Sequence, residues 1–472
     1  MTRREIVVSV FAGRRRAALL VDGELAKLSV DDGGAAIRRG DIVLGRVGAI
    51  SRDLGAAFVD LGEQRAGLLM LGTAGTSRRA PAEGASVVLQ ALRPAIDGKG
   101  AKLTTAITLS GRFLVLAPTR ADPGSRPQPA PQGLTAALAG LDPGVGDWIV
   151  RPAAAMMDGE LVAAEARYLL AAWRRVQEDA KSVRAPAILR RAADALLMLC
   201  SEAAFGGAPR IVCDDQQTAV RLRLLAPDLA DRLEWVRPAG SAFAQSGIDE
   251  QIERALAPEV SLPGGGRLLF AETPGLVSID VDSGASREGS GERTALRVNL
   301  GAAAAIGRQV QLRDLSGHIV IDFMPLRRAG HRAQVTSALS DAFGDDDRQV
   351  RIGGFTRLGL FEMRRERFGP SLSRQLQAAC AVCGGSGRTT ALPETARAAL
   401  TAIRDQTIGR ACRSVRLIGG EPLLSFLRGD ARTAVADTEA GLGRSIELVA
   451  EPSLPVDTYR IEIVPPESEI AQ

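Results

Sequence analysis

The sequence contains few aromatic side chains and very little histidine or lysine. Aromatic residues make up 4% of the chain, histidine occurs only at positions 318 and 331, and lysine only at positions 27, 99, 102 and 181. His318 belongs to an apolar segment typical of a buried strand, where histidine is more often structural. A histidine general base is therefore not predicted.

Long apolar runs are also missing. No run of 18 apolar residues occurs, so no membrane-spanning helix is predicted. The N-terminal segment MTRREIVVSVFAGRRR lacks the apolar core and cleavage site of a signal peptide. The cysteines at positions 200, 213, 380, 383 and 412 form no disulfide framework, as expected in a reducing compartment. We therefore predict a cytoplasmic protein.

The overall composition is that of an ordinary globular protein. The 472 residues are 46% apolar and 24% charged, which is typical of a soluble chain with two to four domains. The net charge of +4 is compatible with a polyanionic partner but does not identify one. Most basic residues are arginine, a bias that we attribute to genome composition.

The stretch from residue 275 to residue 325 carries the strongest functional pattern. It begins with GLVSIDVDSG, in which apolar and polar residues alternate as in a strand, and it ends with GHIVIDFMP, whose apolar run predicts a buried strand. Between them, apolar residues at helical spacing predict an amphipathic helix: Leu296, Leu300, Ala303, Ile306 and Val310.

This strand–helix–strand order predicts that Asp280, Asp282 and Asp322 meet at one edge of a sheet. Gathered carboxylates repel one another unless they bind a cation. Mg²⁺ and Mn²⁺ suit oxygen ligands, and Mg²⁺ typically takes one or two carboxylates together with substrate phosphate. Such a site favours phosphodiester hydrolysis. From the pattern alone, the alternative is that these aspartates only cap strands or loops.

Four motifs resemble the catalytic core of the bacterial ribonuclease E/G family. They are GLVSIDVDSG, RQVQLRDLSGHIVIDF, FTRLGLFEMRRER and CAVCGGSG, in this order, and weaker likeness to the short, ribonuclease G-like form extends over most of the chain. The resemblance implies that Asp280 and Asp322 bind catalytic Mg²⁺. Asp282 stands where the family usually has asparagine, so we expect a third ligand or a shifted metal preference.

The resemblance also implies an α/β multidomain fold. An RNase-H-like subdomain contains an inserted OB-fold β-barrel, and a deoxyribonuclease-I-like catalytic subdomain, a zinc knuckle and a small α/β C-terminal subdomain follow. The ranges are 1–35 (first RNase-H-like segment), 36–118 (OB-fold RNA-binding domain), 119–190 (5′-sensor-like region), 191–255 (second RNase-H-like segment), 256–376 (catalytic), 377–390 (zinc link) and 391–472 (C-terminal dimerisation subdomain). Residues 121–133, rich in Pro and Gly, predict a linker.

The short strand-like segments between residues 36 and 118 predict a small barrel. The segment GDIVLGRVGAISRDLGAAFVDLG resembles an OB-fold RNA-binding module, in which Phe58 would stack on a base and Leu68 replaces a second aromatic platform. Lys99, Lys102 and Arg112 are candidates for contact with the RNA backbone. The alternatives are a buried barrel residue at position 58 and a solvated basic face.

Other basic residues give further candidates. Arg151 matches an arginine of the family's 5′-monophosphate pocket, although Pro152 replaces its threonine partner. Four arginines, predicted close to the metal edge, would hold the RNA backbone or else form a salt-bridged surface: Arg357, Arg364, Arg365 and Arg367. Residues 345–347, all aspartate, predict a solvated turn.

Cys380 and Cys383 form a CxxC pair followed by Gly-Gly-Ser-Gly. A tetrahedral zinc site needs four ligands, so the residues alone leave zinc, a redox pair and idle thiols open. The resemblance implies that two protomers share one Zn²⁺, which predicts a homodimer or homotetramer. Cys200 and Cys213 lie in apolar contexts and are predicted to be packed thiols.

We predict from these observations a Mg²⁺-dependent endoribonuclease that cleaves single-stranded RNA in ribosomal RNA precursor processing or mRNA decay. The resemblance implies attack by a metal-activated water and products with a 5′-phosphate. One alternative is a non-catalytic RNA-binding protein that retains the fold, suggested by Leu68, Pro152 and Pro325. Another is a nuclease that acts on DNA.

Overall fold

The computed structural model describes residues 3–465 apart from residues 32, 35, 72–80, 97, 119–146, 205–208, 238–240, 264, 285–290, 345, 347 and 411. The predicted linker at 121–133 lies outside the described residues. The chain forms two compact units, residues 1–376 and 377–472. Both mix helices and strands, so the predicted α/β class is confirmed. Within the described ranges, no helix is long and apolar enough to cross a bilayer.

The first unit contains most of the elements. Its strands are β1 (Arg4–Phe11), β2 (Arg14–Val21), β3 (Glu24–Asp31), β4 (Ile42–Ser51), β5 (Ala56–Asp60), β6 (Gly67–Met70), β7 (Ser86–Arg93), β8 (Lys102–Thr104), β9 (Leu109–Ser110), β10 (Leu114–Ala117), β11 (Asp147–Val150), β12 (Ala187–Arg190), β13 (Arg210–Cys213), β14 (Leu233–Trp235), β15 (Glu259–Ser261), β16 (Arg267–Glu272), β17 (Val277–Asp282), β18 (Gly317–Asp322), β19 (Val350–Phe355) and β20 (Phe361–Arg365). Its helices are α1 (Gly159–Ser182), α2 (Ala195–Ala204), α3 (Gln216–Leu225), α4 (Ala242–Gln245), α5 (Ile248–Leu256), α6 (Glu292–Leu312), α7 (Ala329–Asp341) and α8 (Leu372–Leu376), with 3-10 helices at Pro152–Met156 and Pro227–Arg232.

The first sheet joins distant segments of the chain. Its order is β14-β13-β1-β2-β3, and β1 runs parallel to β13 and antiparallel to β2. Ile6 and Val8 pack on one side against α2, while Val7 on the other side packs against α4 and α5. Because both faces are covered, β1 carries a nearly continuous apolar run rather than a strict alternation.

Strands β4, β5, β6, β8 and β7 form an OB-like barrel that is closed by pairing of β4 with β7. This confirms the predicted barrel. A side chain at Gly100 would place its Cβ 1.9 Å from the carbonyl oxygen of Ala66, so only glycine allows the chain to enter β8 here. Asp41 is fully buried at the barrel edge and accepts hydrogen bonds from the Ala192 amide (2.7 Å) and the Arg191 guanidinium (2.8 Å).

A small sheet, β9-β10-β11, packs against α1. The Glu165 carboxylate on this helix accepts hydrogen bonds from the backbone amides of Arg112, Phe113 and Leu114 at 2.6 to 2.8 Å. One acidic side chain thus provides acceptors for the backbone amides of the turn that leads into β10, and it connects that turn to α1.

The last sheet of the first unit has the order β15-β16-β17-β18-β20-β19. Helices α6 and α7 cover one of its faces, where Ile279, Ile321, Ile306 and Val335 belong to a single core. The strand, helix and strand predicted between residues 275 and 325 are therefore confirmed as β17, α6 and β18. The opposite face carries exposed polar side chains.

The second unit is built on a three-stranded sheet. Its strands are β21 (Ser414–Gly419), β22 (Ile446–Ala450) and β23 (Tyr459–Val464), in the order β22-β21-β23, and its helices are α9 (Leu392–Thr407), α10 (Glu421–Arg428) and α11 (Arg432–Leu442). Leu417 of the central strand packs against Ile403 and Leu424 of the helices. The apolar sides of the three helices form one core with this sheet.

Candidate active site

Asp280 and Asp322 are neighbours on the uncovered face of the last sheet. Strands β17 and β18 are parallel, and their register pairs Asp280 with Asp322. In both strands the preceding isoleucine is buried and the aspartate is exposed, because successive side chains alternate between the two faces. Adjacent strands lie about 4.8 Å apart. The two carboxylates therefore project side by side.

This donor set fits Mg²⁺. Mg²⁺ binds through one or two carboxylates and keeps other positions for water and phosphate. Within the described ranges, no group of three or more Asp, Glu, His or Cys side chains is arranged to hold a metal. A carboxylate pair on an open face therefore suits an ion shared with a substrate, and it does not suit an enclosed structural site.

Asp282 lies two residues beyond Asp280 but is engaged elsewhere. Its Oδ2 accepts hydrogen bonds from the Arg267 guanidinium at 2.9 and 3.1 Å, and its Oδ1 accepts one from the Gly284 amide at 3.1 Å. The Gly284 amide and the Arg267 guanidinium hold the pKa of Asp282 below its usual range. Asp282 thus stabilises the pairing of β16 with β17, and its predicted role as a third metal ligand stays a prediction.

The backbone that follows Asp322 is fixed by packing that sequence reasoning missed. Phe323 packs against Phe355 and Phe361, with ring centroids 5.8 and 5.7 Å apart. Fully buried Asn299, on α6, exchanges two hydrogen bonds with the backbone of Met324, at 2.8 Å to its carbonyl oxygen and 3.0 Å from its amide. The sequence feature that could have predicted this contact is an asparagine on the apolar side of an amphipathic helix.

Glu292, in the first turn of α6, holds the next few residues of the same segment. Its Oε1 accepts hydrogen bonds from the amides of Arg327 and Arg328 at 3.1 and 2.8 Å, and it lies 2.9 Å from His331 Nδ1. The Arg328 amide, with His331, holds the pKa of Glu292 below its usual range. Exposed Arg327 and Arg328 are thus fixed at the end of the sheet that carries Asp322, a cationic pair that the motifs did not reveal.

The four arginines predicted near the metal edge are separated by the antiparallel pairing of β18 with β20. Arg357 lies in the turn between β19 and β20, at the end of the sheet where Asp322 lies, because Ile321 pairs with Phe361. Arg364 pairs with His318 instead, about 13 Å along the strand from Asp322. Arg364 shares the exposed face with the carboxylates, but the predicted proximity is wrong for it.

Arg365 and Arg367 also lie at the far end of β18. Arg365 is buried, and its guanidinium binds the Asp346 carboxylate at 2.6 and 3.0 Å and Asp314 at 3.1 Å. Arg367 donates to the carbonyl oxygen of Ser316. The predicted solvated turn is therefore wrong at Asp346, which is a buried ion-pair partner, while residues 345 and 347 lie outside the described residues.

The barrel presents a lateral row of candidate RNA-binding side chains. Phe58 on β5 pairs with Leu68 on β6, and Leu68 pairs with Lys102 on β8. The Phe58 side chain is 37% exposed, so it is not the buried barrel residue that was the alternative. Lys99 and Lys102 are exposed. An aromatic ring, an aliphatic side chain and an ammonium group thus lie across three neighbouring strands.

Arg112 does not belong to this row. It is 5% exposed, and its guanidinium forms a bidentate ion pair with Asp228 at 2.6 and 2.8 Å. It also lies over the Phe113 ring. We correct its predicted contact with RNA: Arg112 joins the β10 turn to the 3-10 helix at Pro227–Arg232.

Arg151 faces a cavity of about 530 Å³ that Arg4, Lys27 and Arg348 also line. Its Nε is buried and has no hydrogen-bond partner among the residues that the structure describes. Pro152 follows as the first residue of a 3-10 helix, where a missing amide is tolerated. Six basic and three acidic side chains line this cavity, so its net charge is positive, and it has room for a phosphate group.

In the second unit, Cys380 is exposed and Cys383 is half-buried. The Gly387 amide donates to Cys383 Sγ at 3.3 Å. The amides of Gly385 and Gly387 hold the pKa of Cys383 below its usual range, which favours a thiolate. By contrast, burial raises the pKa of Cys200 to about 12 and that of Cys213 to about 11, as expected of packed thiols. One CxxC turn suits Zn²⁺ but supplies half of a tetrahedral site.

An OB-like barrel in the same compact unit as a mixed sheet with an open carboxylate pair is an arrangement suited to a nuclease. The family model described as "Ribonuclease E/G family" matches residues 108–368. The chain belongs to the ribonuclease E/G family.

Several curated relatives resemble the chain. Ribonuclease E of Haemophilus influenzae is 29% identical over 470 residues, which cover 94% of this chain and 50% of that protein. Ribonuclease E of Escherichia coli K12 is 30% identical, over 88% of this chain and 42% of that protein. Ribonuclease G of Salmonella typhimurium is 28% identical, over 95% of this chain and 97% of that protein. The chain thus spans about half the length of the ribonuclease E relatives and almost all of the ribonuclease G relative.

Proposed function

We propose that the chain is a Mg²⁺-dependent endoribonuclease that cleaves single-stranded RNA. The observation that carries this proposal is the side-by-side placement of Asp280 and Asp322 on an open sheet face. Relatives named ribonuclease E and ribonuclease G support the choice of RNA as substrate.

The residues around the pair have distinct roles. Asp280 and Asp322 hold the ion, and bound Mg²⁺ supplies an acidified water and neutralises charge that develops on the phosphate. The Asn299 and Phe323 contacts keep the end of β18 in place. Arg357, in the neighbouring turn, binds a phosphate oxygen of the RNA, since guanidinium groups match phosphate geometry. Hydrolysis leaves a 5′-phosphate on the downstream fragment.

The barrel holds the substrate strand. Phe58 stacks on a base, while Lys99 and Lys102 neutralise backbone phosphates. Arg151 and the cationic cavity receive the 5′-phosphate of the RNA, in spite of Pro152. The substrates are ribosomal RNA precursors or mRNAs in the cytoplasm, where free cysteines stay reduced.

The assembly is a homodimer or homotetramer linked by zinc. Cys380 and Cys383 of each chain supply two thiolates, so a complete tetrahedral site needs two chains. The amides around Cys383 support this proposal because they stabilise the thiolate.

Cleavage of a fluorescent single-stranded RNA with Mg²⁺ or with EDTA tests the activity. Asp322→Asn should abolish Mg²⁺-dependent cleavage and leave RNA binding intact, whereas Asp282→Asn should keep most of the activity. Asp231→Asn, which alters an exposed aspartate elsewhere in the fold, is the charge-matched control. RNA that wild-type protein binds but never cuts would leave only an RNA-binding protein. Equal cleavage of a DNA oligonucleotide would assign the chain to a broader nuclease class.

The same assay with 5′-phosphorylated and 5′-hydroxyl RNA tests the cavity. We expect wild-type protein to cut the phosphorylated RNA faster and Arg151→Gln to remove that preference. Identical rates for the two RNAs would show that the cavity does not sense the 5′ end.

A further inference from the structure

Arg313 is a buried cation whose charge is not neutralised by a carboxylate. It follows the last residue of α6 and is 7% exposed. Its Nε donates to Gln309 Oε1 at 2.9 Å, but its Nη2 is buried and has no hydrogen-bond partner among the described residues. Burial alone lowers the pKa of Arg313 to about 10, which indicates that no nearby negative charge compensates for the loss of water.

Arg313 lines a cavity of about 230 Å³ between α5 and the start of the last sheet. The guanidinium carbon lies 4.4 Å from the centroid of the Phe270 ring. Ala255, Leu256 and Val277 contribute apolar walls. Contact with an aromatic ring and with the C-terminal end of a helix stabilises a cation to some extent, but neither gives Nη2 a strong acceptor.

Glu272 also lines the cavity, but both of its oxygens have other partners. Oε2 accepts a hydrogen bond from Ser371 Oγ at 2.7 Å, and Oε1 lies 2.8 Å from Arg374 Nε. Its charge is therefore engaged by Arg374.

This cavity is separate from the carboxylate pair. Val277 begins β17, whereas Asp280 lies three residues further along the same strand. Arg313 precedes β18, at the end of the sheet opposite to Asp322. An ion bound at Arg313 would therefore not contact the metal site.

We propose that this cavity binds a small oxyanion, such as orthophosphate or sulfate, through the Arg313 guanidinium, which lines it. A buried guanidinium with only one hydrogen-bond acceptor and no carboxylate partner in the described part of the chain is costly, and its planar set of N–H donors matches the oxygens of a tetrahedral anion. The volume admits one such ion with water but not an RNA strand. This inference does not depend on the nuclease activity, since binding and not cleavage is its readout.

The test measures thermal unfolding and heat of binding in EDTA, with sodium phosphate compared with sodium chloride at equal ionic strength. We expect wild-type protein to be stabilised progressively by phosphate, because the anion binds only the folded state. Arg313→Gln should bind phosphate at least about tenfold more weakly, as expected when charge-assisted hydrogen bonds are lost. Arg297→Gln, an exposed position on the same helix, is the charge-matched control and should respond like wild type.

Two further variants test phosphate binding without changing Arg313, in case Arg313→Gln folds poorly. Ala255→Leu fills the cavity and leaves the arginine in place, so it should lose the same part of the phosphate response as Arg313→Gln. Arg151→Gln alters the larger cavity, itself a proposed phosphate site, and should keep that part. A wild-type protein that phosphate does not stabilise beyond chloride would overturn the proposal, as would a response lost in Arg151→Gln but kept in Arg313→Gln.

Discussion

Asn299 shows how one buried polar side chain can fix the geometry of a site that it does not enter. Its amide satisfies both backbone groups of Met324, two residues beyond Asp322. Because the amide is fully buried, water cannot replace it when it is removed. The carboxylate pair therefore depends on a contact made from the opposite face of the sheet.

Replacing Asn299 with alanine should cost about 2–4 kcal/mol of unfolding free energy, since two buried backbone groups lose their partners. Cleavage should fall more than RNA affinity does, because the end of β18 loosens while the barrel stays unchanged. Urea unfolding, RNA binding and single-turnover cleavage measure the three quantities. Arg297→Ala, on the exposed side of the same helix, is the control. Unchanged cleavage in a folded Asn299→Ala protein would show that the contact between Asn299 and Met324 only stabilises the fold.

Charged side chains are where sequence reasoning was weakest. Arg112 and Asp346 were both assigned to solvent-facing roles, yet each is held in an ion pair. Arg112 binds Asp228, 116 positions away, so no local pattern reveals its partner. By contrast, Asp280 and Asp322 were predicted to lie together because the two strands of a strand–helix–strand unit end at the same edge of a sheet.

Strands and helices were predicted more securely than the positions of strand ends. The alternation in β17, the helical period of α6 and the apolar run of β18 each specify an element through burial of one face or of both. The antiparallel pairing of β20 with β18 could not be predicted from the pattern of apolar residues. It brings Arg357 to the carboxylate end and takes Arg364 to the other, although only seven positions separate them.

The candidate RNA-binding row on the barrel contains one aromatic ring, at Phe58, and a leucine at the neighbouring position 68. Phe58→Ala should weaken binding of single-stranded RNA by about 1–3 kcal/mol, the usual contribution of one stacked base, and Leu68→Phe should strengthen it. Fluorescence anisotropy with a labelled oligonucleotide measures both. Phe11→Ala removes another exposed aromatic ring outside the barrel and should change nothing. Equal loss in Phe58→Ala and Phe11→Ala would show that the row is not the binding surface.

The proposed assembly of the whole molecule can be tested by counting zinc ions per chain. Each chain offers the exposed CxxC turn, while its other cysteines, at positions 200, 213 and 412, are buried. If two chains share one Zn²⁺, elemental analysis should find one zinc ion for every two chains. Replacing Cys380 and Cys383 together with serine should abolish zinc binding, remove the zinc link between chains and lower the oligomer mass in light scattering, while circular dichroism stays that of a folded protein.

Cys412→Ser is the matched control for that experiment, because it removes a cysteine from the same compact unit without touching the CxxC turn. It should keep both the zinc and the oligomer. Oligomers that persist in the zinc-free double variant would mean that other surfaces hold the chains together and that the metal only rigidifies the turn. One zinc ion per chain would instead require two further ligands from the same chain, and within the described ranges no group of three or more such side chains is arranged to supply them.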